Sequence, residues 1–106
     1  MERLSRVDMI LSMLKGEPDD IFLNYSLGLE YFADCCMQLA EESFKRTISL
    51  QNDYVPAYYQ LGKLYEAQEK ITDALDCFKQ GLEYAKQQKN NKAVNEFNEA
   101  VFMLED

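Results

Sequence analysis

The chain has 106 residues, of which 47% are hydrophobic, a proportion typical of a folded domain and not of a disordered segment. Lys and Arg total 11 against 19 Asp and Glu, so the net charge of −8 should repel nucleic-acid phosphates and anionic membrane surfaces. Histidine is absent, which removes the commonest general base and the most frequent zinc ligand. We therefore expect neither nucleic acid nor a membrane as partner, and we predict that the protein is not an enzyme.

The cysteines indicate a reducing compartment. Cys35, Cys36 and Cys77 form an odd set whose spacing matches no disulfide framework and no tetrahedral metal site. We expect no metal and no other cofactor, and a redox role of Cys35 and Cys36 stays an open alternative. The N-terminus lacks an apolar signal core, and the longest apolar run, 100–104, is far too short to span a membrane. These features predict a cytoplasmic protein.

Apolar residues recur at helical spacing along almost the whole chain. Asp20 and Asp53 stand where N-cap residues belong, and Asn90 and Asn91 both offer caps for the last helix. Pro56 falls in the first turn of a predicted helix, where its missing N–H is not needed. The pattern predicts helices near residues 20–33, 37–50, 54–67 and 71–88, and a last helix that begins after these cap residues.

A 34-residue repeat is the most specific feature of the sequence. Its first copy contains Tyr25, Leu27, Gly28, Tyr31, Ala33, Ala40, Phe44 and Lys45, which recur as Tyr59, Leu61, Gly62, Tyr65, Ala67, Ala74, Phe78 and Lys79. Glycine supplies a small residue where the first helix of each unit crosses its partner, and alanine does the same in the second helix. A fixed period of this length indicates a two-helix unit that buries its apolar face only by stacking on neighbouring copies.

The stretches Leu27-Gly28-x2-Tyr31-x8-Ala40-x3-Phe44 and Leu61-Gly62-x2-Tyr65-x8-Ala74-x3-Phe78 resemble the tetratricopeptide repeat (TPR). The resemblance implies an all-α, helix-turn-helix repeat solenoid, a right-handed superhelix of about six helices that binds proteins. It implies a single domain over residues 1–106, divided into an N-terminal half repeat at 2–15, full repeats at 20–53 and 54–88, and a C-terminal capping helix at 91–105.

Three features depart from the family pattern. Late in the second helix the family prefers a small residue, and Gly81 meets this preference in the second repeat but Thr47 does not in the first. The first turn between helices, residues 34–36, carries Asp-Cys-Cys in place of the common glycine, and the spacing into the last helix is longer than the period. In the N-terminal half repeat, Ile10, Met13 and Leu14 would take the places of Phe44, Thr47 and Ile48.

The concave wall of such a superhelix is lined by the first helix of each repeat and is the family's usual peptide groove. Because Leu27 and Tyr31 must face the core, side chains about 100° round the helix should point to this wall. The predicted partner-binding residues are Tyr25, Leu29, Phe32, Tyr59, Lys63 and Glu66, followed on the last helix by Asn95, Glu99 and Phe102. Whether Phe22 and Phe32 belong to the groove or to the core stays open at this point.

These residues predict a non-catalytic scaffold or adaptor that binds an extended peptide or protein segment on the concave face. One branch of the family grips a C-terminal carboxylate with Lys, Asn and Arg, but Tyr25 and Leu29 occupy the places of such groups here. We therefore expect the bound segment to be apolar, with or without basic side chains. The alternative is a homo-oligomer, such as a homodimer, that uses the same wall or an end helix and has no separate ligand. The fold does not identify the partner or the biological process.

Overall fold

The computed structural model describes residues 5–105, and all of its regular structure in that range is helical. The helices are α1 (Arg6–Gly16), α2 (Ile21–Ala33), α3 (Met37–Leu50), α4 (Val55–Ala67), α5 (Ile71–Gln87) and α6 (Asn91–Leu104). The prediction of an all-α fold with six helices is therefore confirmed. Residues 2–4 of the first predicted helix lie outside the described residues, and the assignment of a single domain divided into two full and two half repeats stays a prediction.

The first compact unit ends at residue 52 and contains α1, α2 and α3. Helix α2 packs against both of its neighbours. The aromatic ring of Phe44 on α3 is fully buried and lies against the backbone of Gly28 on α2, where a Cβ atom would come within 2.6 Å of Phe44 Cδ1. Glycine at this position therefore allows the two helices to approach as closely as they do.

The second compact unit begins at residue 53 and contains α4, α5 and α6, with α5 packed against both of the others. Phe78 on α5 lies against Gly62 on α4 in the same way that Phe44 lies against Gly28. Phe97 on α6 adds a third fully buried aromatic ring to the molecule, its centroid 6.3 Å from that of Phe78. The repeated glycine and phenylalanine thus form equivalent contacts one period apart.

Tyrosines complete the core of the second unit. Tyr58 is buried, and its ring centroid lies 5.5 Å from that of Tyr84 on α5. Burial raises the pKa of Tyr58 to about 12, and the neighbouring Tyr84 adds to the shift.

Side-chain caps begin two of the helices where the sequence predicts them. The Asp20 carboxylate accepts a hydrogen bond of 2.8 Å from the backbone N–H of Leu23, and Asn90 Oδ1 accepts one of 3.1 Å from that of Ala93. The predicted cap at Asp53 is wrong. Helix α4 has Tyr54 as its N-cap, with no side-chain hydrogen bond, because the backbone of Tyr54 is still non-helical and Asp53 lies one residue too far from the first turn.

Three helices end on a residue other than glycine in the left-handed region: Cys35 with φ 61°, Glu69 with φ 61° and Lys89 with φ 56°. After each of these, the next residue donates its backbone N–H to a carbonyl five residues earlier, as in the 2.8 Å bond from Cys36 to Tyr31. This pattern is the Schellman motif, which favours glycine at the left-handed position. Cys35 and Glu69 stand 34 residues apart, so the motif follows the repeat even though glycine does not.

We expect Cys35→Gly and Glu69→Gly each to raise the free energy of unfolding by roughly 0.5–1 kcal/mol, because glycine adopts positive φ without the steric penalty of a Cβ atom. Urea denaturation of each variant measures the change. Ala67→Gly is the matched control, since it adds a glycine in the last residue of α4 and should lower the free energy of unfolding by a similar amount. A loss of stability in all three variants would contradict the explanation.

Candidate functional site

Three of the predicted binding residues lie together on one face of α4. Tyr59, Lys63 and Glu66 follow each other at helical spacing, and all three line a single cleft in the second unit. Lys63 Nζ lies 5.8 Å from the centroid of the Tyr59 ring and 3.6 Å from Glu66 Oε1. The one basic side chain of this group is therefore already paired with an acidic one.

The opposite wall of this cleft belongs to α6. Its lining residues there are Glu96, Glu99, Ala100 and Met103, and the volume of the cleft is about 350 Å³. We call it the acidic cleft, because three glutamates against one lysine give its lining a net charge of −2. Tyr59, Ala100 and Met103 add apolar surface, and the Met103 side chain is 73% exposed.

The aromatic core of the second unit supports the acidic cleft. The Tyr59 ring packs on two buried phenylalanines, with centroid distances of 5.8 Å to Phe78 and 5.6 Å to Phe97. Phe78 belongs to α5 and Phe97 to α6, so one tyrosine of α4 contacts both of the other helices in the second unit. A Lys79–Glu105 ion pair of 2.9 Å also joins α5 to the end of α6. Both partners are about half exposed, so this pair contributes little stability and the aromatic contacts dominate.

The other three predicted binding residues lie on one face of α2, in the first unit. The Tyr25 ring lies 6.0 Å from that of Phe44, which matches the contact of Tyr59 with Phe78 one period later. Leu29 is 36% exposed, whereas Tyr25 and Phe32 are half-buried. Phe22 is 68% exposed, so it is not a core residue.

The α6 side of the acidic cleft was mostly missed by the sequence analysis. Of the residues predicted on the last helix, Glu99 lines the cleft, whereas Asn95 and Phe102 do not. Glu96, Ala100 and Met103 do line it, and their spacing is that of one helical face. The long spacing into the last helix was the available signal, because it changes which face of α6 is turned toward α4.

Other site chemistries find no support in the described part of the chain. Within residues 5–105, no group of three or more Cys, Asp or Glu side chains is placed so that it could hold a metal ion. Cys35 and Cys36 are exposed and Cys77 is half-buried, and none of these three cysteines forms a disulfide. None of the helices in this range combines the length and apolarity that a membrane crossing requires.

Antiparallel helix pairs with a 34-residue period define the class of helical repeat proteins. No family model matches the sequence, and a search of curated proteins finds no similar protein, but solved structures do match. A TPR domain protein from Salinibacter ruber is 34% identical in its solution structure, with a TM-score of 0.79 over 84% of this chain and 90% of that one. Its crystal structure gives 33% identity, a TM-score of 0.75, and 80% and 94% coverage.

The chain therefore belongs to the tetratricopeptide repeat family, and it is a protein-interaction module of all-α fold. Two more distant structures share the fold alone. A Bordetella parapertussis protein is 20% identical, with a TM-score of 0.85 over 96% of this chain and 89% of that one. The first TPR of Spaghetti, bound to an HSP90 peptide of sequence SRMEEVD, is 22% identical, with a TM-score of 0.75 and 92% and 76% coverage.

Proposed function

We propose that the protein is a non-catalytic adaptor that binds an extended peptide or protein segment on the concave face of a short TPR array. The proposed contact residues are Tyr25, Leu29, Phe32, Tyr59, Lys63 and Glu66, extended on α6 by the residues that line the acidic cleft. Cysteines that form no disulfide favour a reducing compartment, so we propose the cytoplasm as the place of this function.

The acidic cleft is the observation that carries the proposal. It offers Met103 and the ring of Tyr59 as apolar surface, close to the carboxylates of Glu96 and Glu99. Neither of these two carboxylates has an ion-pair partner among residues 5–105. A lysine or arginine side chain fits this chemistry, since its aliphatic stem packs on apolar surface while its cation pairs with a carboxylate. We therefore propose a segment with apolar and basic side chains.

The charge of the cleft also argues against an acidic ligand. The HSP90 peptide bound by the first TPR of Spaghetti carries three acidic residues and one arginine. A cleft of net charge −2 in this chain would repel such a peptide, and its single lysine already pairs with Glu66. A peptide of opposite charge would be attracted, with an affinity in the micromolar range, about −8 kcal/mol, for a short segment.

Fluorescence anisotropy with two labelled peptides tests the proposal. We expect the peptide SRMKKVK to bind and SRMEEVD not to bind at the same protein concentration. Reversal of two charges, Glu96→Lys with Glu99→Lys, should weaken binding of the basic peptide by about tenfold or more, because it converts the cleft from negative to positive.

The matched control reverses two exposed carboxylates outside the cleft, Asp73→Lys with Asp76→Lys on α5, and so makes the same change in net charge. Equal loss of binding in both variants would mean that only the overall charge matters, and the proposed site would be wrong. Affinity capture from lysate with the wild type and a folded Tyr25→Arg/Tyr59→Arg variant then identifies the natural partner as the protein that only the wild type retains.

A further inference from the structure

Helix α1 exposes an apolar face that the peptide-binding proposal does not use. No residue of α1 is buried, and Met9 and Met13, one helical turn apart, are 43% and 57% exposed. Phe22, at the start of α2, is 68% exposed. Met13 and Phe22 line a cavity of about 560 Å³ between the end of α1 and the start of α2. We call Met9, Met13 and Phe22 the α1 face.

The repeat shows that these positions are normally covered. Met9 and Met13 stand 34 residues before Ser43 and Thr47, and both of those are buried in α3. The prediction that Met13 takes the place of Thr47 therefore holds in sequence position but not in burial. The α1 face therefore leaves exposed two positions that α3 buries one period later.

The charges around the α1 face select a second copy of this chain as its occupant. Helix α1 carries Arg6 and Lys15 against Asp8, so it has a net charge of +1, while each of the other five helices is neutral or acidic. Just past the end of α1, Glu17 and Asp20 add negative charge, so a partner that lies along this helix meets both signs of charge. An acidic partner would also meet Glu17 and Asp20 at the rim of the cavity, whereas a second α1 brings its own arginine.

The order of residues along α1 is complementary to itself in an antiparallel pair. A two-fold axis midway between Met9 and Met13 places Met9 of one copy opposite Met13 of the second copy. The same axis brings Arg6, near the start of the helix, close to the second copy's Glu17, which follows its end. The Arg6 side chain is 80% exposed and pairs with Glu30 at 3.3 Å, so its guanidinium lies on the surface where a second carboxylate can reach it.

We propose that two copies of the protein form a two-fold dimer through an antiparallel pair of α1 helices, which buries Met9, Met13 and Phe22 of each copy. An isologous interface of this kind closes at two copies and does not propagate into a filament. A contact between 11-residue helices is small compared with stable interfaces, which bury about 1,200–2,000 Å² in total. The dimer is therefore weak, and because it uses no residue of the acidic cleft, it is independent of the proposed peptide binding.

Sedimentation velocity at increasing protein concentration tests the dimer. We expect the wild-type sedimentation coefficient to rise from monomer to dimer between about 10 and 300 µM, the range of a small interface. Met9→Glu with Met13→Glu should remain monomeric throughout, since it places carboxylates on the shared apolar surface. The matched control, Asn98→Glu with Phe102→Glu, places the same charges one helical turn apart on the exposed surface of α6, outside the acidic cleft, and should dimerise like the wild type.

A charge swap tests the antiparallel orientation. Arg6→Glu alone and Glu17→Arg alone should each raise the dissociation constant by about threefold to tenfold, because each places like charges together twice in the dimer. The double variant Arg6→Glu/Glu17→Arg should restore the wild-type value. Circular dichroism confirms that each variant is folded.

A wild type that stays monomeric up to about 300 µM would overturn the proposal and leave the α1 face to a helix of another protein. Equal loss of dimer in the α1 and α6 variants, or a double variant no better than the single ones, would overturn it as well. Peptide binding to the acidic cleft is measured separately, so failure of either proposal is distinguishable from failure of the other.

Discussion

Replacement of Gly62 by alanine is expected to lower the free energy of unfolding by about 2–3 kcal/mol, the upper range for an overpacked core. A Cβ atom at this position would lie 2.7 Å from Cδ1 and 2.8 Å from Cζ of Phe78. Real Cβ atoms do not approach that closely, so either the ring or the helix must move. The ring has no room, because Phe78 is 0% exposed in a close-packed core.

Two comparisons make this prediction specific. Gly16→Ala at the end of α1 has nothing within 4 Å of the added Cβ, and should raise the free energy of unfolding by up to about 1 kcal/mol through helix propensity. In a Phe78→Leu background, Gly62→Ala should lower stability by less than about 1 kcal/mol, because the smaller side chain leaves space for the new methyl group. Thermal or urea unfolding of the four variants and the wild type measures the cycle. The same loss in both backgrounds would show that the contact with Phe78 is not the cause.

The fold follows from the repeat because the repeated residues make equivalent packing contacts in both units. A 34-residue period places Gly28 opposite Phe44 and Gly62 opposite Phe78, so one sequence pattern specifies two equivalent helix crossings. The turns follow the period too, although neither Cys35 nor Glu69 is the glycine that the left-handed backbone favours. Backbone geometry is set there by the packing of the two helices, which overrides the local preference of the turn residue.

The candidate site was predictable only where the repeat reaches. Tyr59, Lys63 and Glu66 were predictable because they belong to a repeat whose core residues fix the direction of each side chain. Helix α6 lies outside the repeated pattern, and its rotation depends on how Phe97 packs against Tyr59 and Phe78, a contact between residues far apart in sequence. The part played by Glu96, Ala100 and Met103 therefore emerged only from the three-dimensional structure.

The exposed face of α1 shows the same limit of prediction from the sequence. Helical spacing predicts that Ile10 and Leu14 turn inward, and both are half-buried. Spacing does not tell whether another helix covers Met13, since that depends on which elements surround α1 and not on its own sequence.

Replacement of Phe97 by alanine is expected to lower the stability of α6 by about 3–5 kcal/mol, the usual range for a fully buried phenylalanine. Phe97 is 1% exposed and packs edge-on against the Tyr59 ring. It also covers Gly81 on α5, where a Cβ atom would come within 2.7 Å of Phe97 Cε1. A smaller side chain cannot contact both the Tyr59 ring and Gly81. Because stacked helices depend on nearest neighbours, we expect α6 to open locally while α4 and α5 stay paired.

Amide hydrogen exchange measures this opening directly, as faster exchange in 91–104 with little change in 55–67. The control is Phe102→Ala on the same helix, which removes the same side chain from a position that is 78% exposed and should change exchange by an amount equivalent to less than about 0.5 kcal/mol. Phe97→Ala should also abolish binding of the basic peptide although Glu96 and Glu99 are intact, because a detached α6 no longer forms the wall of the acidic cleft. Unchanged binding together with fast exchange in α6 would mean that the peptide does not use this wall, and that the proposed contact residues on the other helices carry the binding.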